Sequence, residues 1–415
     1  FCSETSGYQQ YIMFITHVYF WSVAMAMWNP DQFTVESFAA HPVVYELKEN
    51  DQMKIVTIEP GRTMELKRAS ILAPLILLRD YTNDRTAERY VNGAFYERHL
   101  YENASLKASL LVKPQRRGHY HIVGLINSTH YIKPLRNQMD FMGRTRHVIL
   151  EIPSSTGHIC HNTINARSLL GEIFGFPRVK KQSGAHIIEA SIISDYSHTK
   201  SLEMNSLDPL EYVMTYMHRV SLDFHQLKPS IKIMLTGYQT TLEENVEYVN
   251  FTSSGVLAAM ETVVKLKNYV ARTKSHRKAD LVVLITACTI VATELKNTVM
   301  LGIACNNGIC TEDKGILVKD AGARNSGVRT TTHEMAHTLG ADHDGVGNSA
   351  SCAADDGYIM TPIDAGKKRD EFSVCTKKVI ATHLRKRRAA CLRRLTSRHI
   401  SPLLPRAIAP FLEEK

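Results

Sequence analysis

Several common sequence features are missing from this chain of 415 residues, and each absence narrows what it can be. There is no internal repeat and no low-complexity tract, which argues against a repeat solenoid or a disordered chain. No G-x-S-x-G motif is present, so a serine-hydrolase nucleophile turn is not indicated. The 44% hydrophobic content allows a large core, and the length allows two or three domains.

Acidic residues are absent from 372–398, and this gap accounts for the charge of the whole chain. The formal net charge is +9, and this stretch alone has nine basic residues, so the remainder is close to neutral. Such a run suits heparin-like polyanions or a membrane surface, or else forms the solvated face of a C-terminal helix. Interleaved aromatic residues and nucleic-acid-binding motifs are lacking, so DNA and RNA are not expected partners. The basic residues are Lys377, Lys378, Arg385, Lys386, Arg387, Arg388, Arg393, Arg394 and Arg398.

The N-terminal segment indicates export. Residues 13–27 are almost wholly apolar and aromatic, too few for a typical membrane span, and Ala24-Met25-Ala26 has the small-x-small pattern of a signal-peptidase site. We therefore expect a signal-peptide region at 1–26, with an upstream extension before Met13 left open, and a secreted, extracellular protein. A retained N-terminal anchor is the alternative. Further support comes from glycosylation sequons at Asn103, Asn127 and Asn250.

Hydrophobic periodicity divides the rest of the chain. Short alternating runs with Pro, Gly and Asn between them predict a β-rich domain over 27–181. Buried strands alternating with amphipathic helices predict an α/β domain over 182–395, followed by a tail at 396–415. In the second domain we expect strands at 186–193, 231–235, 280–286 and 315–320, and helices at 208–226, 253–269, 331–339 and 373–390.

A basic cluster lies at the boundary between these two domains. Its sequence is Arg178-Val179-Lys180-Lys181, which suits cleavage by a trans-Golgi proprotein convertase, although arginine is more usual than Lys181 at the last position. The β-rich domain is then a prodomain removed near Lys181. A charged linker without processing is the alternative.

The most specific chemistry is in the sequence H-E-M-A-H-T-L-G-A-D-H-D. On a helix, His333 and His337 lie one turn apart on the same face, so both rings can bind one metal ion while Glu334 stands beside the open position. Gly340 can take the positive φ that ends the helix and returns His343 as a third nitrogen ligand. This pattern predicts one catalytic Zn²⁺.

Three neutral histidines leave one zinc position open for water. Glu334 is the candidate general base that takes a proton from this water and passes it to the leaving amine. The predicted reaction is peptide-bond hydrolysis without a covalent intermediate. Downstream, Met360 lies in a Gly- and Pro-rich turn, as in the Met-turn beneath a metzincin zinc, although alone it would be an ordinary core residue.

Eight cysteines fit an oxidising compartment. Cys2 would leave with the signal segment, and Cys160 then stands alone. Six thiols remain, which suggests three bridges, and spacing cannot choose among the fifteen connectivities. They are Cys288, Cys305, Cys310, Cys352, Cys375 and Cys391.

These motifs resemble the reprolysin (adamalysin) branch of the metzincins, and more closely the secreted metalloproteases of tick salivary glands. Besides the zinc motif, the resemblance rests on Asp280 opening D-L-V-V-L-I-T, on 358–362 around Met360 and on 372–375. It implies a metzincin catalytic domain of α+β or α/β class after a β-rich prodomain. Its features would be a mixed, mostly parallel sheet with an antiparallel edge strand, a long active-site helix and a Met-turn.

The resemblance also implies residue roles. His333, His337 and His343 would bind zinc, Glu334 would be the base, and Met360 would form the hydrophobic floor. The implied disulfides are Cys310–Cys391 and Cys352–Cys375, which leaves Cys288 to pair with Cys305.

Two family features match less completely. Glu189 and Asp280 correspond to carboxylates of the structural calcium site of many reprolysins, which implies Ca²⁺, but Arg394 stands where asparagine is expected. Cys160 would be a possible zinc-blocking thiolate from the prodomain. Its flanking residues match no known switch motif, and a simple unpaired cysteine is the alternative.

We therefore expect a secreted zymogen of a zinc endopeptidase that acts on protein substrates. The resemblance to tick enzymes implies host extracellular or haemostatic substrates such as fibrinogen, fibrin or matrix proteins. The alternative is a secreted binding protein in which catalysis is dispensable and function comes from docking host proteins or polyanions. The intact histidine triad with Glu334 favours the enzyme.

Overall fold

Two large β-sheets, with one buried helix between them, organise the chain. The computed structural model describes residues 37–46, 52–59, 61–116, 119–140, 144–153, 164–165, 178–180, 186–363, 366 and 368–396. The expected signal region, Cys2, Cys160, Lys181 and residues 397–415 lie outside this described part. Within it, no helix is both long and apolar enough to cross a membrane.

The first sheet has nine strands in the order β1-β11-β10-β9-β8-β7-β4-β3-β2. It is built from residues N-terminal to 152, as the alternating pattern predicts, and in β3 and β8–β11 the inward residues form its core. Its strands are β1 Ser37–Ala40, β2 Val43–Glu46, β3 Met53–Glu59, β4 Arg62–Arg68, β7 Leu100–Asn103, β8 Ala108–Pro114, β9 Tyr120–Leu125, β10 His130–Met139 and β11 Thr145–Glu151.

The second sheet has eight strands in the order β12-β21-β22-β18-β14-β15-β5-β6. Strands β22, β18, β14, β15 and β5 are mutually parallel, whereas β21 is antiparallel to β22. β14 and β18 are almost continuously buried because both faces of the sheet are covered. The strands are β5 Leu72–Tyr81, β6 Thr86–Asn92, β12 Ile164–Asn165, β14 His186–Ser194, β15 Ile231–Thr241, β18 Leu281–Thr286, β21 Gly302–Asn306 and β22 Gly315–Lys319.

Two small sheets and seven described helices complete the fold. The small sheets are β13 Arg178–Lys180 with β23 Arg394–Thr396, and β16 Phe251–Ser253, β17 Val256–Ala258, β19 Thr289–Ala292 and β20 Thr298–Met300. The α-helices are α1 Gly93–Glu97, α2 Tyr196–Met204, α3 Pro209–Phe224, α4 Ala259–Arg272, α5 Lys274–Lys278, α6 Val328–Thr338 and α7 Val374–Arg385. Short 3-10 turns lie at Thr293–Leu295, Ala321–Ala323, Gly347–Ser349, Ala354–Asp356 and Arg387–Arg393.

Helix α3 is the layer between the two large sheets. It begins at an Asp208 N-cap, whose side chain accepts from the Glu211 backbone N–H, followed by Pro209 at the first helical position. All of its residues except Pro209 and Glu211 are buried. It packs against β15 and α6 on one side and against β8 and β9 on the other. The helix therefore connects the N-terminal sheet to the helix that carries the zinc motif.

The β-rich segment shares a sheet and a hydrophobic core with the second domain. β5, from the N-terminal half, pairs in parallel with β15 from Leu77–Gly237 to Tyr81–Thr241. From Phe38 onward the described chain forms one unit, and a single hydrophobic cluster includes residues of both halves. The alternating pattern predicts β-structure correctly here but does not show that β5, β6 and β12 join the other sheet.

Three helix boundaries differ from the sequence prediction. The helix expected from residue 253 begins at Ala259, because Gly255 at φ 70° turns the chain into a hairpin of β16 and β17. The helix of the zinc motif begins at Val328 rather than Thr331. The basic C-terminal helix ends at Arg385 and continues as a 3-10 turn.

Two of the expected disulfides are present. Cys310 and Cys391 are bonded with a Cα–Cα distance of 6.4 Å, and Cys352 and Cys375 with 6.1 Å. Both distances lie within the usual range. The second bridge joins the loop after the zinc motif to helix α7.

The expected Cys288–Cys305 bridge is wrong, since both thiols are buried and free. The sheet register explains the separation. Ala304 of β21 pairs with Ile316 of β22, and Ile316 pairs with Val283 of β18. Cys305 therefore lies beside the start of β18, whereas Cys288 follows the end of that strand. At about 3.3 Å per residue this offset exceeds about 10 Å, and a disulfide needs Cα atoms within about 7 Å. Spacing alone does not reveal this geometry.

Buried histidines predict an acid-sensitive fold. Burial lowers the pKa of His276 to about 3, and its ring contacts Ser191 Oγ and Gln239 Oε1, both at 2.9 Å. The unfolded histidine titrates near 6.5, so below that pH the unfolded state binds more protons and stability falls. Going from pH 7.5 to pH 5 should remove about 2 kcal/mol through this residue.

The measurement is urea unfolding at both pH values for the wild type and His276→Gln. The variant should be less stable at pH 7.5, because its amide replaces a fitted ring, but its midpoint should change less with pH. Equal pH dependence in both proteins would contradict the assignment to His276.

Candidate metal centre

Three histidine rings meet at one buried point. His333 and His337 lie one turn apart on α6, and His343 comes from the loop after it. The three Nε2 atoms are separated by 3.0 Å (His333 to His337), 3.1 Å (His333 to His343) and 3.2 Å (His337 to His343). This is the grouping that the sequence motif predicts.

Backbone carbonyls fix the orientation of two of these rings. His333 Nδ1 lies 2.8 Å from the Ile359 carbonyl oxygen, and His337 Nδ1 lies 2.7 Å from that of Ala341. A carbonyl can only accept, so each Nδ1 must carry the hydrogen and each neutral ring turns the lone pair of Nε2 toward the centre.

The donor set fits a zinc ion. Burial lowers the pKa of His337 to about 3 and that of His333 well below its ordinary value, so both rings are neutral. Converging lone pairs of neutral imidazoles repel unless a cation lies between them. Zn–N bonds of about 2.0–2.1 Å at tetrahedral angles put ligand nitrogens about 3.3 Å apart, close to the separations here.

Glu334 is a buried carboxylate whose two oxygens have no hydrogen-bond partner among the described residues. Burial raises its pKa well above the ordinary value. Its side chain packs against β21, where a Cβ added to Gly302 would be 2.9 Å from both Glu334 Cγ and Oε1. Gly302 is therefore a site residue that no sequence motif marks, and only the contact with Glu334 reveals it.

The chain returns from α6 to the third histidine through Gly340, which has φ 90° as predicted. A Cβ at this position would also be 2.7 Å from Asn307 Oδ1. After His343, the Asp344 N–H donates to the Met360 carbonyl at 3.0 Å, and its Oδ1 accepts from Ser373 Oγ at 2.6 Å. Met360 is fully buried. These contacts hold the His343 loop, the Met-turn and the start of α7 together.

Asp320 binds the residues just before the start of α6, and no sequence motif marks it. Its buried carboxylate accepts from Ser326 Oγ at 3.1 Å and from the Gly327 N–H at 3.3 Å, and it also accepts from the Tyr212 hydroxyl. His198 Nε2 lies 3.3 Å from the same carboxylate. An acidic residue between a strand and a helix is the only sequence signal for this role, and it is weak.

Glu189 and Asp280 lie side by side, as expected for the calcium carboxylates. The Glu189 N–H donates to Asp280 Oδ2 at 3.1 Å, and both residues are fully buried. The Cys310 sulfur is 3.6 Å from Asp280 Oδ1. A Ca²⁺ ion at this place stays a prediction.

The predicted processing residues Arg178 and Lys180 lie in β13, whose backbone pairs with β23, Lys180 opposite Arg394. Lys181 itself lies outside the described residues. In the basic C-terminal region, five of the described side chains face solvent, which agrees with a solvated helix face; polyanion contact stays a prediction. These are Lys378, Arg385, Lys386, Arg387 and Arg388.

Comparison with known proteins agrees with this geometry. The profile of the reprolysin (M12B) family of zinc metalloproteases matches residues 188–395, which include all three histidines, Glu334 and Met360. The venom metalloproteinase BumaMPs1 of Olivierus martensii is 28% identical over 72% of this chain and 77% of its own length. Venom metalloproteinase 3 of Eulophus pennicornis is 23% identical over 74% of this chain and 75% of its own.

Among solved structures, archaemetzincin from Methanopyrus kandleri overlaps 49% of this chain and 99% of its own, with 15% identity and a TM-score of 0.33, from which nothing further follows. The family match covers the half of the chain that carries the histidine cluster. The chain belongs to the reprolysin (M12B) family of zinc metalloproteases.

Proposed function

We propose that this metalloendopeptidase is secreted as a zymogen and hydrolyses peptide bonds with Glu334 as the general base. The observation that carries the proposal is the buried Glu334 carboxylate, which has no hydrogen-bond partner in the described part of the chain and is adjacent in sequence to His333 of the metal cluster. A buried carboxylate without a partner is costly unless it serves chemistry or neighbours a cation. A general base needs this freedom to accept a proton from water.

When bound, zinc supplies a Lewis acid that acidifies water and polarises the peptide carbonyl. The three Nε2 atoms would hold the ion, and the Ile359 and Ala341 carbonyls keep two of the rings in orientation. Glu334 accepts the water proton at one carboxylate oxygen and passes it to the nitrogen of the leaving amine. No side-chain nucleophile is required.

The uncut chain would be inactive because of a contact at the outer edge of β21, the edge that does not pair with β22. β12 of the N-terminal half pairs in parallel with this edge, Ile164 opposite Cys305 and Asn165 opposite Asn306. The same strand carries Gly302, on which Glu334 packs. An extended peptide gains main-chain hydrogen bonds by adding to a strand edge. The N-terminal half would therefore compete with substrate for β21 until the chain is cut near Lys181.

Secretion and substrates are proposed from the relatives and the sequence. Two of the relatives are named venom metalloproteinases, and the chain has a candidate signal region and disulfides typical of oxidising compartments. Extracellular host proteins such as fibrinogen, fibrin and matrix components are the proposed substrates.

Replacing Glu334 with Gln should abolish peptidase activity and leave metal binding intact. The amide keeps the shape of the side chain but cannot accept the proton, and general-base catalysis contributes about 10²- to 10⁴-fold. The measurement is cleavage of fibrinogen and gelatin by the full chain, before and after cutting near Lys181, together with zinc content.

A zinc chelator should stop the wild type in the same assay, and added zinc should restore it. Full turnover by Glu334→Gln would overturn the role of this residue. Absence of cleavage by a folded, zinc-loaded and cut wild type would shift support to a secreted binding protein.

Gly302→Ala should lower kcat because its Cβ would push against the Glu334 side chain and Thr330 Cγ2, the latter at 2.7 Å. We expect a loss of at least about tenfold, since small displacements of a catalytic group are costly. Gly315→Ala on neighbouring β22 is the matched control, because its Cβ would meet only the Leu266 side chain and neither Glu334 nor Thr330. Equal kcat in the two variants would show that Gly302 has no role in positioning Glu334.

A further inference from the structure

The N-terminal half holds the second sheet at both of its edges. β12 lies at one edge, beside β21, and the β5–β6 hairpin lies at the other, beside β15. Only the first edge adjoins the strand against which Glu334 packs. The contact that would obstruct the site and the contact that anchors the N-terminal half are therefore separate.

The anchor at β15 is extensive. Besides the parallel register of β5, the Leu235 N–H donates to the Ile71 carbonyl at 2.7 Å, and the Leu242 N–H donates to that of Tyr81 at 2.9 Å. Ile76 in β5 is fully buried in the cluster that also contains Leu235. Removing β5 would expose this apolar surface and leave β15 as an unpaired edge, both of which are unfavourable in water.

Ion pairs and hydrogen bonds add a polar part to the same interface on helix α3. Lys107 Nζ lies 2.6 Å from Asp223 Oδ1. Burial alone would raise the pKa of the Asp223 carboxyl, but the positive charges of Arg219 and Lys107 outweigh it and lower this pKa. Lys113 Nζ lies 2.7 Å from Glu211 Oε2, and His218 Nδ1 lies 3.0 Å from Ser109 Oγ. Lys107, Lys113 and Ser109 come from the N-terminal half.

Cleavage near Lys181 breaks none of these contacts, because the cut falls between β13 and β14. We infer that the cut protein stays a two-chain complex, in which residues 37–153 remain docked on β15 and α3 as a permanent subunit while the segment on β21 becomes free to leave. This rests on the proposed processing of the zymogen. The partner of the β15 edge is the chain's own N-terminal half.

The test is size-exclusion chromatography with light scattering on the full chain cut near Lys181, at 0.15 M and 1 M NaCl. We expect both fragments in one peak at the mass of the uncut chain, with non-reducing gels showing that no disulfide joins them. Separate elution of the N-terminal fragment would overturn the docked-subunit inference and leave the peptidase proposal standing. If natural cleavage fails, a protease site engineered into 182–185 still tests docking, and only the processing proposal is lost.

A charge swap gives a sharper readout that does not depend on activity. Lys113→Glu should speed dissociation of the cut fragments about fivefold, because it places two carboxylates opposite each other. Glu211→Lys should do the same, and the double variant should return to the wild-type rate. Rates that are unchanged in the single variants would remove this pair from the interface.

A separate observation concerns Arg329, one turn before His333 on α6. Its Nη2 donates to the Tyr358 carbonyl at 2.9 Å, and its Nε donates to the Arg369 carbonyl at 3.1 Å. These two carbonyls lie on either side of Met360 in the chain. The residue after Tyr358 is Ile359, whose carbonyl accepts from His333.

The geometry assigns Arg329 as a positioning residue that acts on the metal site through the Met-turn. Its rigid, planar fork holds two points of the loop against the helix that carries the ligands, so the Ile359 carbonyl stays where His333 needs it. A lysine, with a single flexible ammonium, cannot bind both carbonyls in the same way.

Arg329→Met should speed loss of zinc to a chelator about 10- to 100-fold, the usual effect of removing support behind a metal ligand. Arg329→Lys should fall between it and the wild type, and the absorption spectrum of the cobalt-substituted protein should change with both variants. Arg272→Met, on α4 and paired with Glu247 at the surface, is the control. A lowered melting temperature with unchanged metal loss and spectrum would mean that Arg329 only stabilises the fold.

Discussion

Three imidazole nitrogens, held about 3 Å apart in a buried site, are the constraint on which the rest of this structure depends. Two backbone carbonyls fix the direction of their lone pairs, and one of these belongs to the Met-turn. The helix, the returning loop and the Met-turn must therefore keep their relative positions. Asp320 beneath the start of α6 and Asp344 between Met360 and Ser373 supply these connections.

Helix α3 and the second sheet connect the metal site to the N-terminal half. The helix is buried on both sides, and its Asp223 and Glu211 pair with Lys107 and Lys113 of the N-terminal half. The hairpin of β5 and β6 extends the sheet that β14, β15 and β18 form. The two halves thus share one core, and a cut in the connecting segment does not by itself divide it.

The cysteines show where inference from sequence ends. Family resemblance predicts Cys310–Cys391 and Cys352–Cys375 correctly, because those pairs accompany the motifs around the zinc site. Pairing the two remaining thiols by elimination fails, because the strand register puts them at opposite ends of β18. Likewise, the helix expected at residue 253 is shortened by a glycine turn whose local signal is weak.

The sequence by itself determined the grouping of the candidate metal ligands, the candidate base, the positive φ of Gly340 and the β and α/β character of the two halves. These depend on local spacing, since residues four apart share a helix face and alternation marks a half-buried strand. Only the tertiary structure decided that β5 joins the second sheet, that Gly302 makes room for Glu334, and that Arg329 holds the Met-turn. Those contacts join residues far apart in the chain, and their partners are chosen by strand register and packing, which local patterns do not encode.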